Sequence, residues 1–500
     1  MRMETRRLKS IKSSGDVAAM SITALRNTTQ SPGLPPRLVE ELKAIVGDKG
    51  WSDDPMTLEP HLKDWVGYAQ GSTPLMVMPQ NTEEVAAVVK ACAAAGIPIV
   101  PQGGNTGSVA GGVPHGEVLL SLKRMNRIRD VDAADYTMTV EAGVILAEVQ
   151  VAALEAGRFF PLSIGSEGSC TIGGNVSTNA GGTAVLRFGN MRDLVLGLEV
   201  VLPDGRIWNG LRRLRKDNTG YALKHLFMGA EGTLGVVTAI VLRLFPKPME
   251  VATAFVAIRD LDSSIELLAL LRAATGDALS SIEVLPRIGV DIAMQFDPEV
   301  GDPLEAKHEW YAIVEVSGTK ADGQTGATLE AALADALEQG VVVDAAIAAS
   351  SAQAKAIWRI RKALVLNLAK IGAEVKHDVS VPVSKQPDFV RRATAAVEKT
   401  VPGTRTVAYG HFGDGNIHFN LAAPTGMDAS TFMARAADLH RAVYDIASEY
   451  GGSFAAEHGV GIVKLDEMAR YRSDVELDLM RGFKKLLDPK GLFNPGKVLP

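Results

Sequence analysis

The chain has 500 residues, 46% of them hydrophobic and 22% charged, with a formal net charge of −6. That length exceeds one ordinary core, so two or more domains are expected, and the composition excludes a disordered chain. The negative balance, without a basic stripe carrying interleaved aromatics, argues against nucleic acid as a partner; two cysteines cannot build a disulfide framework, and no apolar run reaches the roughly 18 residues that cross a bilayer.

The opening stretch MRMETRRLKSIKSS (1–14) is basic and serine-rich in the manner of a transit peptide, but Glu4 and Asp16 dilute the signal. The expectation is a poorly ordered extension over 1–35, with Met20 as the initiator. A cytoplasmic location follows from the cysteine usage, the mitochondrial matrix or the periphery of an inner membrane being the alternatives.

PRLVEELKAIVGD (36–48) predicts a helix opened by proline and leads into a strand–helix rhythm. PLMVMP (74–79) reads as a strand, NTEEVAAVVKACAAAG (81–96) as a helix capped by Asn81 and ended by Gly96, and IPIVP (97–101) as a strand. LVLGLEVVLPDGRI (194–207) predicts a hairpin turning at Asp204-Gly205, and GVVTAIVLRLFPKP (235–248) a strand closing at Pro246-Lys247-Pro248, a domain boundary. Beyond it ATAFVAI (252–258), SIEVL (281–285) and WYAIVEVSG (310–318) read as strands. TLEAALADALEQG (328–340), SAQAKAIWRIRKALVLNLAKIG (351–372) and ATAAVEKT (393–400) read as helices. The pattern predicts an antiparallel sheet with helices on one side, an α+β domain. The tail (479–500) reads as a helix followed by a Gly/Pro-punctuated end.

Three glycine-rich segments lie in the first half: PQGGNTGSVAGG (101–112), GSEGSCTIGGNVSTNAGGTAVLRFGN (165–190) and GAEGTLGVVT (229–238). Glycine lets consecutive backbone N–H groups face one concavity, and the interspersed hydroxyl and amide side chains add donors that a large polyanionic cofactor needs. Neither G-x-G-x-x-G nor G-x-x-x-x-G-K-[ST] is present, which disfavours a Rossmann domain or a P-loop.

In the second half VAYGHFGDGNIHFNL (407–421) places His411 and His418 symmetrically about Gly413–Asn416. Pairing of 407–412 with 417–421 would set the two histidines opposite one another, with Cβ atoms about 4.5–5.5 Å apart and Asn420 on the same face. AAEHGVG (455–461) adds Glu457, a hard anionic ligand, and His458, a base. A His/His/carboxylate set suits Zn²⁺ or a similar divalent ion with positions left for substrate. The hairpin alone leaves open a bland reading, two polar rings beside a functionless turn.

Taken in order, the three glycine segments followed by KHDVSVP (376–382), YGHFGDGNIHFN (409–420), AAEHGVG (455–461) and FNPGK (493–497) resemble the FAD-linked oxidases of the vanillyl-alcohol-oxidase/PCMH type. The resemblance runs from about residue 60 to 500 and is nearest the D-2-hydroxyglutarate and D-lactate dehydrogenase branch. It implies an FAD domain of two α+β subdomains over 69–248 with a lead-in at 36–68, a substrate and metal domain over 249–460, and a segment, 461–500, returning to the FAD domain. Gly103, Gly104, Asn105, Thr106 and Gly107 would cradle the pyrophosphate. Ser166, Gly168, Thr171, Gly174, Asn175, Thr178, Asn179, Gly181, Glu231, Val237 and Asn494 would wrap the rest of the cofactor. The first loop has no histidine, so non-covalent FAD is expected, with Cys170 as a buried thiol.

The same resemblance implies a metal held by His411, His418 and Glu457, Zn²⁺ first among the candidates. His458 would be the catalytic base, and Arg361, Lys376, Asn420 and His458 would bind substrate. Val365 stands where hydroxyglutarate-specific members carry Thr or Ser, which leaves the distal carboxylate contact open. The implied reaction is oxidation of a D-2-hydroxy acid to the 2-oxo acid, D-2-hydroxyglutarate to 2-oxoglutarate first, D-lactate or glycolate as the alternative. Electrons would pass to electron-transfer flavoprotein, a quinone or a cytochrome, and a homodimer is the assembly considered. Outside this class, the same His/His/Glu set would serve a flavin-free metal hydrolase, and a non-catalytic flavoprotein is a third reading.

Overall fold

The computed structural model describes residues 33–500; the extension expected before them, with Met20, lies outside the described residues. The helix Pro36–Val46 opens on proline, whose missing N–H costs nothing in a first turn, and stops at Gly47 (φ 69°). The helix Thr82–Ala95 starts where the Asn81 side chain accepts from the Glu84 N–H at 2.8 Å and ends at Gly96 in the left-handed region.

The first half is built from two sheets. Strands β1 (Trp51–Ser52), β2 (Met76–Val77), β3 (Ile99–Gln102) and β4 (Val118–Ser121) form a sheet in the order β1-β2-β4-β3, parallel but for β1. Strands β5 (Ile128–Asp132), β6 (Thr137–Glu141), β8 (Val195–Val201), β9 (Ile207–Gly210) and β10 (Val236–Arg243) form an antiparallel sheet in the order β5-β6-β10-β8-β9. A short ribbon of β7 (Arg158–Phe159) and β11 (Phe245–Pro246) closes this half, ending at the Pro246-Lys247-Pro248 punctuation. One apolar core joins both sheets, with Val77, Leu120, Val140, Leu198 and Ile240 all inaccessible.

The second half carries an eight-stranded sheet. Strands β12 (Glu250–Ile258), β13 (Leu279–Pro286), β14 (Trp310–Gly318), β15 (Val342–Ile347), β16 (Glu374–Val375), β18 (Arg405–His411) and β19 (Asn416–Ala422) run β15-β12-β14-β13-β18-β19-β16, while β17 (Asp378–Ser380) also pairs with β19. All its pairings are antiparallel. The sequence reading of helices on one side needs correction. Ala254, Val256 and Ile258 share a core with the helices Ser263–Thr275 and Gln324–Glu338. Phe255 and Ala257, pointing the other way, share one with Arg287–Phe296 and Ser351–Asn367. Both faces are covered, which is why ATAFVAI lacks a polar alternation.

The C-terminal helix Asp474–Leu487 leads the chain back to the first half. Ile99 of β3 exchanges hydrogen bonds with Leu492 and Asn494, each at 2.8 Å, and Lys484 Nζ donates to Thr233 O and Phe493 O. Among the described residues no helix is long and apolar enough to cross a membrane.

Candidate active site

A cavity of about 2120 Å³ runs between the two halves. Its first wall is the glycine-rich chain: residues 103–107, Ser166, Gly168, Thr171, Gly174, Asn175, Thr178, Gly181, Glu231 and Val237 all line it. The glycines are there because backbones meet. A Cβ on Gly104 would lie 2.2 Å from Ser169 O, and one on Gly103 2.3 Å from Thr171 Oγ1. Two expected cofactor residues stand behind the wall instead. Asn179 ends the helix Ile172–Thr178 at φ 52° and its Oδ1 accepts from the Arg192 N–H at 2.9 Å. Asn494 is buried and donates from Nδ2 to Gly111 O at 2.9 Å and Glu231 O at 2.7 Å, tying the C-terminal segment to two cavity loops. Walls of backbone, hydroxyl and amide groups around a volume of this size fit a dinucleotide cofactor.

The opposite wall carries the histidine hairpin. Tyr409, not His411, lies directly across from His418, and Val407 lies across from Asn420. The expected pairing is therefore displaced by two residues, with β18 running on to His411 and β19 starting at Asn416. Side chains alternate with period two, so this shift keeps both histidines on one face. Their ring centroids are 5.4 Å apart. Asn416 sets the tight end of the turn by donating from Nδ2 to Asp378 Oδ1 at 2.8 Å and to Val379 O at 3.1 Å.

Three imidazoles converge on Glu457. Nε2 of His411, His418 and His458 lie 4.0, 3.5 and 3.7 Å from its carboxylate oxygens. Each Nδ1 turns to another carboxylate: that of His411 to Glu283, those of His418 and His458 to Asp378 at 3.9 and 3.7 Å. A carboxylate hydrogen-bonded to Nδ1 holds a proton there, as Glu283 does for His411. Asp378, His418, Glu457 and His458 can all bring a ligand atom within 4.8 Å of one another; His411 is outside that group and reaches the other carboxylate oxygen, Glu457 Oε2, with Nε2 at 4.0 Å. Donor types and convergence both fit a divalent ion.

The buried charges around these rings compensate one another. Burial would lower the His411 pKa, but the adjoining Glu283 carboxylate outweighs it and lifts the ring to about 9. Burial would raise Glu283, yet His411 and Arg361 on its two oxygens bring it down to about 2. Asp378 is likewise held well below the ordinary carboxylate range, burial being overcome by His458, Lys464 and His418 and by the backbone amides it accepts.

Arg361 donates from Nε to Glu283 Oε2 at 2.6 Å and lies over the Tyr409 ring, 4.5 Å from its centroid. Lys376 pairs with Glu374 at 2.7 Å and sits over Trp65. Asn420 donates to Tyr409 Oη at 3.1 Å. Arg361, Lys376, Asn420 and His458 all line the cavity, as do Val365 and Leu366. The two walls touch at Gly181, where a Cβ would lie 3.3 Å from Glu457 Oε2. Sequence reasoning missed Glu283, Glu374 and the role of Asp378. A glutamate in mid-strand among apolar neighbours, SIEVL, was a readable sign of a paired buried charge.

Residues 73–210 match the family model described as "FAD binding domain", and residues 247–498 that of "FAD linked oxidases, C-terminal domain". The chain is 39% identical over 463 residues to the mitochondrial D-2-hydroxyglutarate dehydrogenase of Arabidopsis thaliana, covering 92% of this chain and 81% of that one. It is 36% identical over 446 residues to the D-2-hydroxyglutarate dehydrogenase of Xanthomonas citri pv. viticola, covering 89% and 93%. Among solved structures, p-cresol methylhydroxylase with substrate bound superimposes at a TM-score of 0.72 with 19% identity, covering 92% of this chain and 96% of that one. An alkyldihydroxyacetonephosphate synthase does so at 0.73 with 18% identity, covering 94% and 86%. These structural likenesses establish the fold, a PCMH-type FAD-binding half joined to a C-terminal oxidase half.

Proposed function

The chain belongs to the FAD-linked oxidases, in the D-2-hydroxyglutarate dehydrogenase family, and on that premise we propose that it oxidises a D-2-hydroxy acid to the 2-oxo acid, D-2-hydroxyglutarate being the first candidate. The observation that carries this reading is the meeting of the Nε2 atoms of His411, His418 and His458 around Glu457, at the point where the glycine-lined wall reaches it.

Bound FAD supplies the acceptor for the C2 hydride, and a bound divalent cation the Lewis acidity that eases loss of the hydroxyl proton. His411, His418 and Glu457 would hold that cation, Zn²⁺ by donor type. His458 takes the hydroxyl proton at Nε2, while Asp378, 3.7 Å from Nδ1, orients the ring. Arg361 and Lys376 attract the carboxylates of the acid. Asn420 keeps one amide N–H and its carbonyl oxygen for substrate, the other N–H being given to Tyr409. The absence of histidine from 103–107 and the burial of Cys170, which pushes its thiol pKa up, support non-covalent FAD. The electron acceptor proposed is electron-transfer flavoprotein, a quinone or a cytochrome.

A second reading, a monocarboxylate substrate such as D-lactate or glycolate, is favoured by one observation: Lys376 is already neutralised by Glu374, with the apolar Val365 and Leu366 on the same cavity wall. Anaerobic titration with D- and L-2-hydroxy acids tests both. Bleaching of the visible flavin band by D-2-hydroxyglutarate is expected, and by D-lactate alone on the second reading. A flavin-replete protein that no D-2-hydroxy acid reduces would overturn both, and a colourless, active preparation would favour a metal hydrolase. In His411→Ala, turnover should vanish while FAD stays bound.

A further inference from the structure

The segment that carries His458 is clamped by two buried carboxylates, one from each half of the molecule. Asp378 Oδ2 accepts the N–H groups of Ala456, Glu457 and His458 at 3.1, 2.9 and 2.9 Å. Immediately past His458 the backbone turns to the other half: Val460 N–H donates to Glu231 Oε1 at 2.8 Å and Gly461 N–H to Glu231 Oε2 at 2.9 Å. Both oxygens of Glu231 are thus engaged by separate amides, a strap with little freedom to swing.

Glu231 is itself held rigidly. It is 8% exposed, its backbone has φ 49°, its N–H donates to Ser177 O at 2.8 Å and its C=O accepts from Asn494 Nδ2. The contact is close on every side: a Cβ on Gly459 would lie 2.7 Å from Oε1, and one on Gly111 3.0 Å from Oε2. The His458 ring, by contrast, is one-third exposed, with Asp378 at 3.7 Å and His418 stacked beside it. Its placement depends on the backbone beneath it.

We propose that Glu231 is a positioning residue for the base: from the glycine-rich half, its carboxylate fixes residues 459–461 and so sets where His458 stands against the cavity wall. This rests on the reading of His458 as the base. A carboxylate is required because two donors must be met at once. Glutamine, of the same shape, offers one acceptor oxygen and turns an NH₂ group towards the second amide.

The test compares wild type with Glu231→Gln and Glu231→Asp. In Glu231→Gln, KM for D-2-hydroxyglutarate stays near wild type, and kcat per bound flavin, which corrects for any FAD lost from this wall, falls about 10- to 100-fold, the scale of a misplaced catalytic group. Hydrogen exchange of the peptide spanning 457–463 becomes faster. Glu231→Asp, which keeps both acceptor oxygens, falls between the two, and it carries the same comparison if the glutamine variant does not accumulate folded. Wild-type kcat with unchanged exchange would overturn the proposal, as would loss of FAD with normal kcat per remaining flavin. If wild type oxidises no D-2-hydroxy acid, the function assigned to His458 fails, while the exchange rates still decide whether Glu231 holds the segment.

Discussion

Glu283 and Arg361 form a buried ion pair, Arg361 Nε donating to Glu283 Oε2 at 2.6 Å with neither side chain more than 10% exposed. The other oxygen of Glu283 faces Nδ1 of His411, so one carboxylate from the middle of a strand aligns the cation proposed to bind substrate and a ring proposed to bind metal. In Glu283→Gln the Arg361 charge is left uncompensated, and the protein should lose about 3–5 kcal/mol of stability. Metal affinity should fall about 10–100-fold through loss of the carboxylate behind His411. Denaturant unfolding and competition with a chelator measure the two; wild-type metal affinity would sever the link between Glu283 and the cation.

Substrate charge should be read by Lys376 and edited by Glu374. Lys376→Met should raise KM for a dicarboxylate more than for D-lactate. Glu374→Gln, which frees the ammonium now paired at 2.7 Å, should improve kcat/KM for a dicarboxylate by about fivefold and leave D-lactate near wild type, since one partly exposed charge contact is worth on the order of 1 kcal/mol. Equal effects on both acids would remove both residues from recognition.

Close packing of Gly104 against Ser169 predicts that Gly104→Ala loosens the cofactor wall. The added methyl would stand 2.2 Å from a backbone oxygen and 3.1 Å from Cys170 Cα, and overpacking of this kind costs about 1–3 kcal/mol. The purified variant should carry less FAD per chain while still folding. The ratio of flavin to protein absorbance reports it, and full occupancy would show that the loop can move aside.

Burial pushes the Cys92 thiol up to about 12 from its ordinary 9.0. At pH 8 native protein should therefore leave Cys92 unreacted with a thiol reagent, whereas denatured protein releases both cysteines. The linkage has one sign. An acid whose pKa is raised by folding stays neutral in the native state while the unfolded chain ionises, so this contribution to stability is complete below pH 9 and is lost as pH rises towards 12. Cys92→Ala should flatten the alkaline part of that profile.

Much of this molecule was readable along the chain because the relevant signals are local. Asn81 and Gly96 delimit a helix through bonds made within four residues, and Asp204-Gly205 turns its hairpin in the same way. The glycine segments announced a cofactor wall, since glycine is retained where backbones approach within the radius of a Cβ. Asn179 and Asn494 sit in equally polar stretches but spend their amides on neighbouring backbone, which composition alone does not distinguish.

Local chemistry in the sequence therefore determined elements such as the Asn81-capped helix and the Asp204-Gly205 hairpin, the glycine-lined wall, and that His411, His418 and Glu457 were worth locating together. Tertiary structure decided the hairpin register, because pairings displaced by two residues present the same faces, and the observed one is held by contacts with neighbouring strands, among them Asp378 on Asn416. It also decided that helices cover both faces of the large sheet, and that Glu283, Asp378 and Glu231 stand behind the histidines and the His458 segment. Those carboxylates lie far along the chain from the groups they hold. Packing of two separate cores brings them together, and no periodicity in either stretch encodes the other.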